Sequence, residues 1–258
     1  MERKDILNAL KKLKETSPKR NFKQSIDLII AMKGLDLKKP EHQVDVFSEM
    51  HYPRGKKIKV CALVSNEIIS KTKEVFDNVV PESEFSKYQD KRIVKKLARE
   101  YDFFIAQSNT MPKVASVFGR YLGPKGKMPN PKAGCVITPD TNFKALYEKL
   151  QKTIRISVKI APFFQCLVGK DDMIDEQLAE NILTVYNSLV HALPSEENNV
   201  KSVYLKMTMS PCVRISKGAP EGEEKKGKVK TETVKNKKTK EKTKAKKTEE
   251  NKEEKSEE

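Results

Sequence analysis

Ile58-Lys59-Val60-Cys61-Ala62-Leu63-Val64 is an apolar run in which polar residues do not alternate cleanly. A strand with one wet face alternates; a strand covered by helices on both faces does not. The run therefore reads as a buried strand of a parallel sheet. The residues that follow agree. Residues 66–76 and 91–100 carry helical spacing, the second with Val94 and Leu97 inward. Asp102-Phe103-Phe104-Ile105-Ala106 is a second buried strand, and residues 111–121 a helix whose Pro112 suits a first turn. Residues 135–138 give a third apolar strand, and Thr141 opens a helix with Leu146, Leu150 and Ile154 at helical spacing. Strands alternating with helices predict a parallel sheet with helices on its faces.

The chain on either side has a different texture. Residues 2–16 read as a helix with Ile6, Leu10 and Leu13 inward, ended by Ser17-Pro18. Residues 22–33 and 42–50 read as strands and are expected to pair antiparallel with each other. Residues 51–57, with Pro53, Arg54 and Gly55, form a turn and a junction. Beyond the parallel block, Ile154, Ile156, Val158 and Ile160 alternate with Arg155, Ser157 and Lys159. Residues 163–168 give another strand. In residues 174–193, Leu178, Ile182, Tyr186, Leu189 and Leu193 form one helical stripe, which reads as core. Residues 201–209 place Val203, Leu205, Met207 and Met209 on one strand face, and residues 213–215 end the fold.

The expected fold class is α/β (α+β). A two-layer α+β domain, residues 1–56 and 154–218, is split by an inserted Rossmann-like three-layer domain, residues 57–153. Residues 219–258 are expected to be a disordered Lys/Glu-rich tail, because they hold too few hydrophobes to bury. Two chain crossings at one side make a hinge plausible.

Charge narrows the function. The formal net charge is +16, from 52 Lys and Arg against 36 Asp and Glu. Residues 221–258 hold 14 Lys and 11 Glu, so most of the excess, +13, belongs to the remainder of the chain. Nucleic acid or an anionic surface is the natural partner of such a body. No apolar run has the roughly 18 residues of a membrane span, and the N-terminus does not read as a signal peptide, so a cytoplasmic setting without a membrane partner is expected. Cys61, Cys135, Cys166 and Cys212 are far apart and read as small buried hydrophobes; with His42, His51 and His191 scattered, no metal site is expected. The turn after Val64 is Ser65-Asn66-Glu67, without the glycines that admit a pyrophosphate, so no dinucleotide or other cofactor is expected and an enzyme reading finds no support.

Residues 119–134, Gly-Arg-Tyr-Leu-Gly-Pro-Lys-Gly-Lys-Met-Pro-Asn-Pro-Lys-Ala-Gly, hold four glycines, three prolines and four cations. The run reads as a long functional loop offering Arg120, Lys125, Lys127 and Lys132. It is not a nucleotide P-loop: Met128 stands where Gly126-Lys127 should be followed by Ser or Thr. A second candidate joins residues 20–27 to residues 208–211. There Phe22 lies beside Arg20 and Lys23, and an aromatic among cations suits a base and its phosphates.

The loop GRYLGPKGKMPNPKAG resembles the signature of the ribosomal protein L-one family, in its archaeal and eukaryotic form, and the resemblance extends over nearly all of residues 1–216. It implies a non-enzymatic protein of the large ribosomal subunit that binds large-subunit rRNA as part of a mobile stalk. It further implies assistance to deacylated tRNA leaving the exit site, and repression of its own mRNA at an rRNA-like site. Carried over by motif, Asn21-Phe22-Lys23-Gln24-Ser25-Ile26-Asp27 implies rRNA contacts at Phe22, Lys23, Ser25 and Asp27. The family's Thr-Met-Gly turn falls on Thr208, Met209 and Ser210, with Ser210 in place of the glycine. Val168-Gly169-Lys170 also resembles the family and implies a phosphate contact at Lys170. A general nucleic-acid binder led by the lysine tail is the rival reading.

Overall fold

The computed structural model describes residues 1–139 and 141–215. The tail expected over residues 219–258, and the last residues of the split domain, lie outside them.

Helix α1 (Arg3–Thr16) buries Ile6, Ala9, Leu10 and Leu13 at helical spacing. Strand β1 (Ser25–Met32) alternates, with Ile26, Leu28, Ile30 and Met32 inward. It is one of two inner strands of an antiparallel sheet in which β8 (Phe163–Lys170) lies on one side and β9 (Val200–Met207) on the other, and β10 (Val213–Ile215) pairs with the far side of β9. Helix α6 (Asp175–Ala192) packs with α1 against this sheet, and the sequence stripe from Leu178 to Leu193 is buried in the same apolar core. The layer is thus built from both ends of the chain. A separate ribbon pairs β2 (Val44–Glu49) with β7 (Thr153–Val158). The expected pairing of the first two strands does not occur: β1 bonds to β8 and β9, and β2 to β7. Sequence neighbours usually pair, but here both edges of β1 are taken by the later strands β8 and β9.

Between them lies a parallel sheet in the order β4-β3-β5-β6, formed by β3 (Val60–Val64), β4 (Asn78–Pro81), β5 (Phe103–Gln107) and β6 (Val136–Ile137). Every residue of β3 is buried, as its unbroken apolar run required. Its two faces feed two different cores. One face, with Phe76, packs under α5 (Phe143–Lys152); the other lies under α3 (Lys91–Glu100) and α4 (Met111–Leu122). Helix α4 continues through Gly119 and Arg120 to Leu122, so the loop proper begins later than its glycine content suggests. Strand β4 has no counterpart in the sequence reading. Between Asn66 and Phe76 the chain forms a 3-10 turn and the short helix α2 (Ile69–Lys73) rather than one helix. Ile154 belongs to β7 rather than to the preceding helix, and Ile160 is 96% exposed because β7 ends at Val158.

The chain crosses between the two sheets twice, and side-chain amides clip the crossings. Asn181, fully buried in α6, accepts the Tyr52 N–H at 3.1 Å and donates to Tyr52 O at 3.1 Å and Val168 O at 3.2 Å. Gln151 does the same for Ile58, accepting its N–H at 2.9 Å and donating to its carbonyl at 2.8 Å. Each amide supplies the donor and acceptor that a missing neighbouring strand would have supplied. Met50 N–H also bonds Lys152 O at 3.0 Å, so the two crossings are tied to each other.

Candidate nucleic-acid interface

The start of β1 and the end of β9 meet, with Ile26 opposite Met207 and Asp27 opposite Lys206. Beyond the last pair, the chain closes with side chains as well as backbone. Thr208 N–H donates to Ser25 O at 3.1 Å, and Ser25 N–H donates to Thr208 Oγ1 at 3.1 Å. Gln24, only 3% exposed, fastens the arrangement from beneath. Its Oε1 accepts the Met209 N–H at 3.3 Å, and its Nε2 donates to Ser17 Oγ at 3.2 Å and Pro18 O at 3.3 Å. One buried amide therefore joins the end of α1, the entry to β1 and the turn after β9.

Above that base the side chains are left in solvent. Phe22 is 52% and Met209 56% exposed. Burying a side chain of this size stabilises by roughly 1.5–3 kcal/mol, so the fold leaves apolar area unspent here. Thr208 is exposed. Met209, read as an inward residue of the strand, lies outside it because β9 ends at Met207. Ser210 faces the other way: it is buried, its Oγ accepts the Met207 N–H at 3.0 Å and donates to Pro211 O at 3.0 Å. Its side chain shapes the turn and is withdrawn from the surface.

The third strand closes the site from the far side of β1. Lys170, the last residue of β8, stands opposite Ser25. Its aliphatic stem lies over Gly55, where φ is +73° and an added Cβ would come within 3.1 Å of Lys170 Cδ. Lys23 pairs with Asp172 at 2.7 Å; that hydrogen bond raises the lysine above its ordinary value and lowers the carboxyl below its own. Asp27 is half-buried, and burial pushes its carboxyl up against the opposing pull of Lys206. Phe22, Lys23, Ser25, Asp27, Lys170, Thr208 and Met209 thus lie around one strand end, with Ser210 beneath it.

The four cations of the loop are not brought to that cluster. Arg120 is exposed on α4, and Lys125 and Lys132 are exposed beyond it. Lys127 is spent: its Nζ donates to Tyr101 O at 2.7 Å and lies 3.7 Å from Asp102. The loop is ordered by its own backbone, with Gly126 N–H on Gly123 O, Cys135 N–H on Asn130 O, and Asn130 Oδ1 accepting the Lys132 N–H. Arg155 of β7 completes it. Its Nε and Nη2 bond Asp45 at 2.8 Å each, its Nη1 donates to Gly126 O, and it lies over the Phe47 ring. Asp45, gripped by Arg155 and by Lys159 at 2.6 Å, is held down at about 2.

The place where a nucleotide would sit in a doubly wound sheet is the crevice beyond β3 and β5, where the strand order reverses. It is filled. Gln107, 2% exposed, accepts the Ser65 N–H at 3.1 Å, and Thr110 Oγ1 donates to Leu63 O and Gln107 O. The Ser65 amide is thereby spent on a side chain. Cys61 and Cys135 are buried, their thiols pushed up by burial to about 12 and about 11; Cys166 is half-buried, and Cys212 is exposed rather than buried. Among the described residues there is no cluster of potential metal ligands, and no helix is long and apolar enough to cross a membrane.

The body is an α/β fold with a fastened, partly apolar strand end. Residues 11–211 match the model of the ribosomal protein L1p/L10e family. The chain is 38% identical over 217 residues to large ribosomal subunit protein uL1 of Pyrococcus horikoshii, covering 83% of this chain and 96% of that one. It is 40% identical over 213 residues to the uL1 of Nanoarchaeum equitans, covering 81% and 98%, and 34% identical over 218 residues to that of Methanocaldococcus jannaschii, covering 84% and 97%. The chain belongs to the ribosomal protein L1p/L10e family, a structural and non-enzymatic one.

Proposed function

We propose that this protein is a constituent of the large ribosomal subunit in the cytoplasm and binds large-subunit rRNA directly at the end of β1 and β9. Residues 1–56 with 154–218 form the rRNA-binding domain, and residues 57–153 an inserted domain carried on the stalk so formed. The observation that carries the reading is the pairing of a rigid base with an unspent surface. The Gln24, Ser25 and Thr208 bonds fix the turn, while Phe22 and Met209 stay half in solvent. Phe22 is placed to stack on a base or sugar, Thr208 and the backbone of Met209 to meet a 2′-OH, and Lys170 and Lys23 to meet phosphates. The exposed Arg120, Lys125 and Lys132 are the loop groups offered to exit-site tRNA, whose release in deacylated form the stalk assists. The same strand end serves to repress the protein's own mRNA wherever that message copies the rRNA site.

The test is a titration of the full chain with a structured rRNA stalk fragment and with an unrelated RNA of equal length, at two salt concentrations. Preference for the stalk fragment that survives the higher salt and falls with Phe22→Ala or Thr208→Ala is expected. Equal affinity for both RNAs, collapsing with salt and lost on removing residues 221–258, would mean a tail-led polyelectrolyte instead.

A further inference from the structure

A second concave surface lies away from the strand end. A cleft of about 630 Å³ opens between the loop after α4 and the connection from β7 to β8. One wall is the backbone from Gly123 to Gly126 with the exposed Lys125; the other carries Arg155, Ser157, Lys159, Ile160 and Phe163. Ile160 is 96% and Phe163 50% exposed, so the cleft presents an aromatic ring and an aliphatic side chain with nothing over them among the described residues. Three cations, Lys125, Arg155 and Lys159, line the cleft, and Asp45, outside its lining, pairs with the last two. Lys125 makes no ion pair with a described residue, and partial desolvation together with Lys127, Arg99 and Lys95 lowers its ammonium below the ordinary lysine value. A local excess of positive charge beside an open ring is complementary to a polyanion that carries bases.

The walls are held in place. Arg155 is fixed by two bonds to Asp45 and holds the loop by its bond to Gly126 O. Gly126 has φ +65°, and a Cβ there would strike the guanidinium. Lys127 is anchored on Tyr101, so Lys125 projects between two fixed neighbours. Such preorganisation lowers the ordering cost of binding. The cleft has the size of a small-ligand pocket, roughly 300–1,000 Å³, rather than the broad face of about 800 Å² per partner that a protein complex requires. Phe163 and Lys170 begin and end β8, about 23 Å apart along the strand at ~3.3 Å per residue. A nucleotide at one cannot touch the other.

We propose that this cleft is a second RNA-binding site, separate from the strand-end interface, that takes unpaired nucleotides. Lys125, which has no ion-pair partner among the described residues, meets a phosphate and Phe163 stacks on a base. Arg155 is a positioning residue that keeps the loop wall at the right distance. The inference rests on the RNA-binding reading above, and its test is arranged so that each can fail alone.

The probe is a fluorescein-labelled, unstructured RNA of about eight nucleotides, within the ~4–16 that single-strand sites occupy. Its anisotropy is followed with the full chain, free and saturated with the stalk fragment. The oligonucleotide is expected to bind in both cases. Phe163→Ala and Lys125→Gln each weaken it about tenfold, and Lys125→Gln also reduces the salt slope by about 0.7. Arg155→Ala weakens binding with the slope unchanged, because that guanidinium is already spent on Asp45 and Gly126. Phe22→Ala and Thr208→Ala leave oligonucleotide binding as it was. Denaturation midpoints of all variants establish that each is folded. Displacement of the oligonucleotide by the stalk fragment, equal sensitivity to Phe22→Ala and Phe163→Ala, or no binding to the free chain would overturn the proposal. Cleft-dependent binding without any preference for the stalk fragment would instead overturn the strand-end reading and leave this site standing.

Discussion

Two edges of this molecule could each have been a binding site, and they were finished differently. At the end of β1 and β9, the buried Gln24 amide and the Ser25–Thr208 bonds do the fastening, and the surface keeps a ring and a thioether half in solvent. At the C-terminal edge of β3 and β5, Gln107 and Thr110 turn inward and take up the Ser65 N–H and the carbonyls of Leu63 and Gln107. Both edges are well satisfied in hydrogen bonds. The difference lies in what remains over once the fold has been satisfied. An edge with polar and apolar capacity left in solvent has something to give a ligand; an edge closed on itself contributes to stability only.

The comparison makes separable demands. The largest effect is expected from Phe22→Ala combined with Thr208→Ala, which should cost about 3 kcal/mol of stalk-RNA affinity, roughly a hundredfold, while the unfolding free energy moves by about 1 kcal/mol or less. Loss of stability in step with affinity would erase the distinction between the edges. Gln107→Ala should do the reverse. It leaves the Ser65 N–H unbonded and should lower stability by about 1–3 kcal/mol in chemical denaturation, with RNA affinity unchanged. Gln24→Ala sharpens the contrast, because this amide belongs to the base and not the surface. Stability should fall by about 1–2 kcal/mol, and RNA binding should weaken about fivefold through misplacement of Met209.

The smallest effect concerns the ribbon that holds the loop. Asp45 is lowered from 3.8 to about 2, so its carboxylate is favoured in the folded state. That contribution is present above the unfolded value and is lost as pH falls from about 4 toward about 2. Allowing for solvent screening of a partly exposed pair, Asp45→Asn should remove about 1 kcal/mol of stability at neutral pH and flatten the acid limb of a pH–stability curve over that window.

The apolar patterns were legible where they were long. The unbroken β3 run, the 91–100 helix and the α6 stripe all appear as read, because burial on two faces or one leaves a period in the sequence. Pairing was not legible. Strands β1 and β2 are neighbours in sequence, yet the partners of β1 come more than a hundred residues later. Strand β4 is four residues ending in proline, too short to show a period. At the strand end the two segments and Thr208 were readable, but the sequence left Phe22 equally open to the core, and the buried amide that joins the segments was not legible. Gln24, Gln107 and Gln151 look like ordinary surface amides in a sequence. Asn181 did leave a trace: it interrupts the apolar arc between Leu178 and Val185, where a polar residue must find partners inside.

The bond from Ser25 to Thr208 spans 183 residues of chain. At a synthesis rate of about 5–20 residues per second, roughly ten to forty seconds separate the appearance of its two ends. Through that interval β1 lacks β9, and the strand end does not exist as a surface. No nascent or truncated chain that stops short of β9 can present it. Possession of the strand end therefore marks a chain made through β9, and a chain that stops earlier does not carry it.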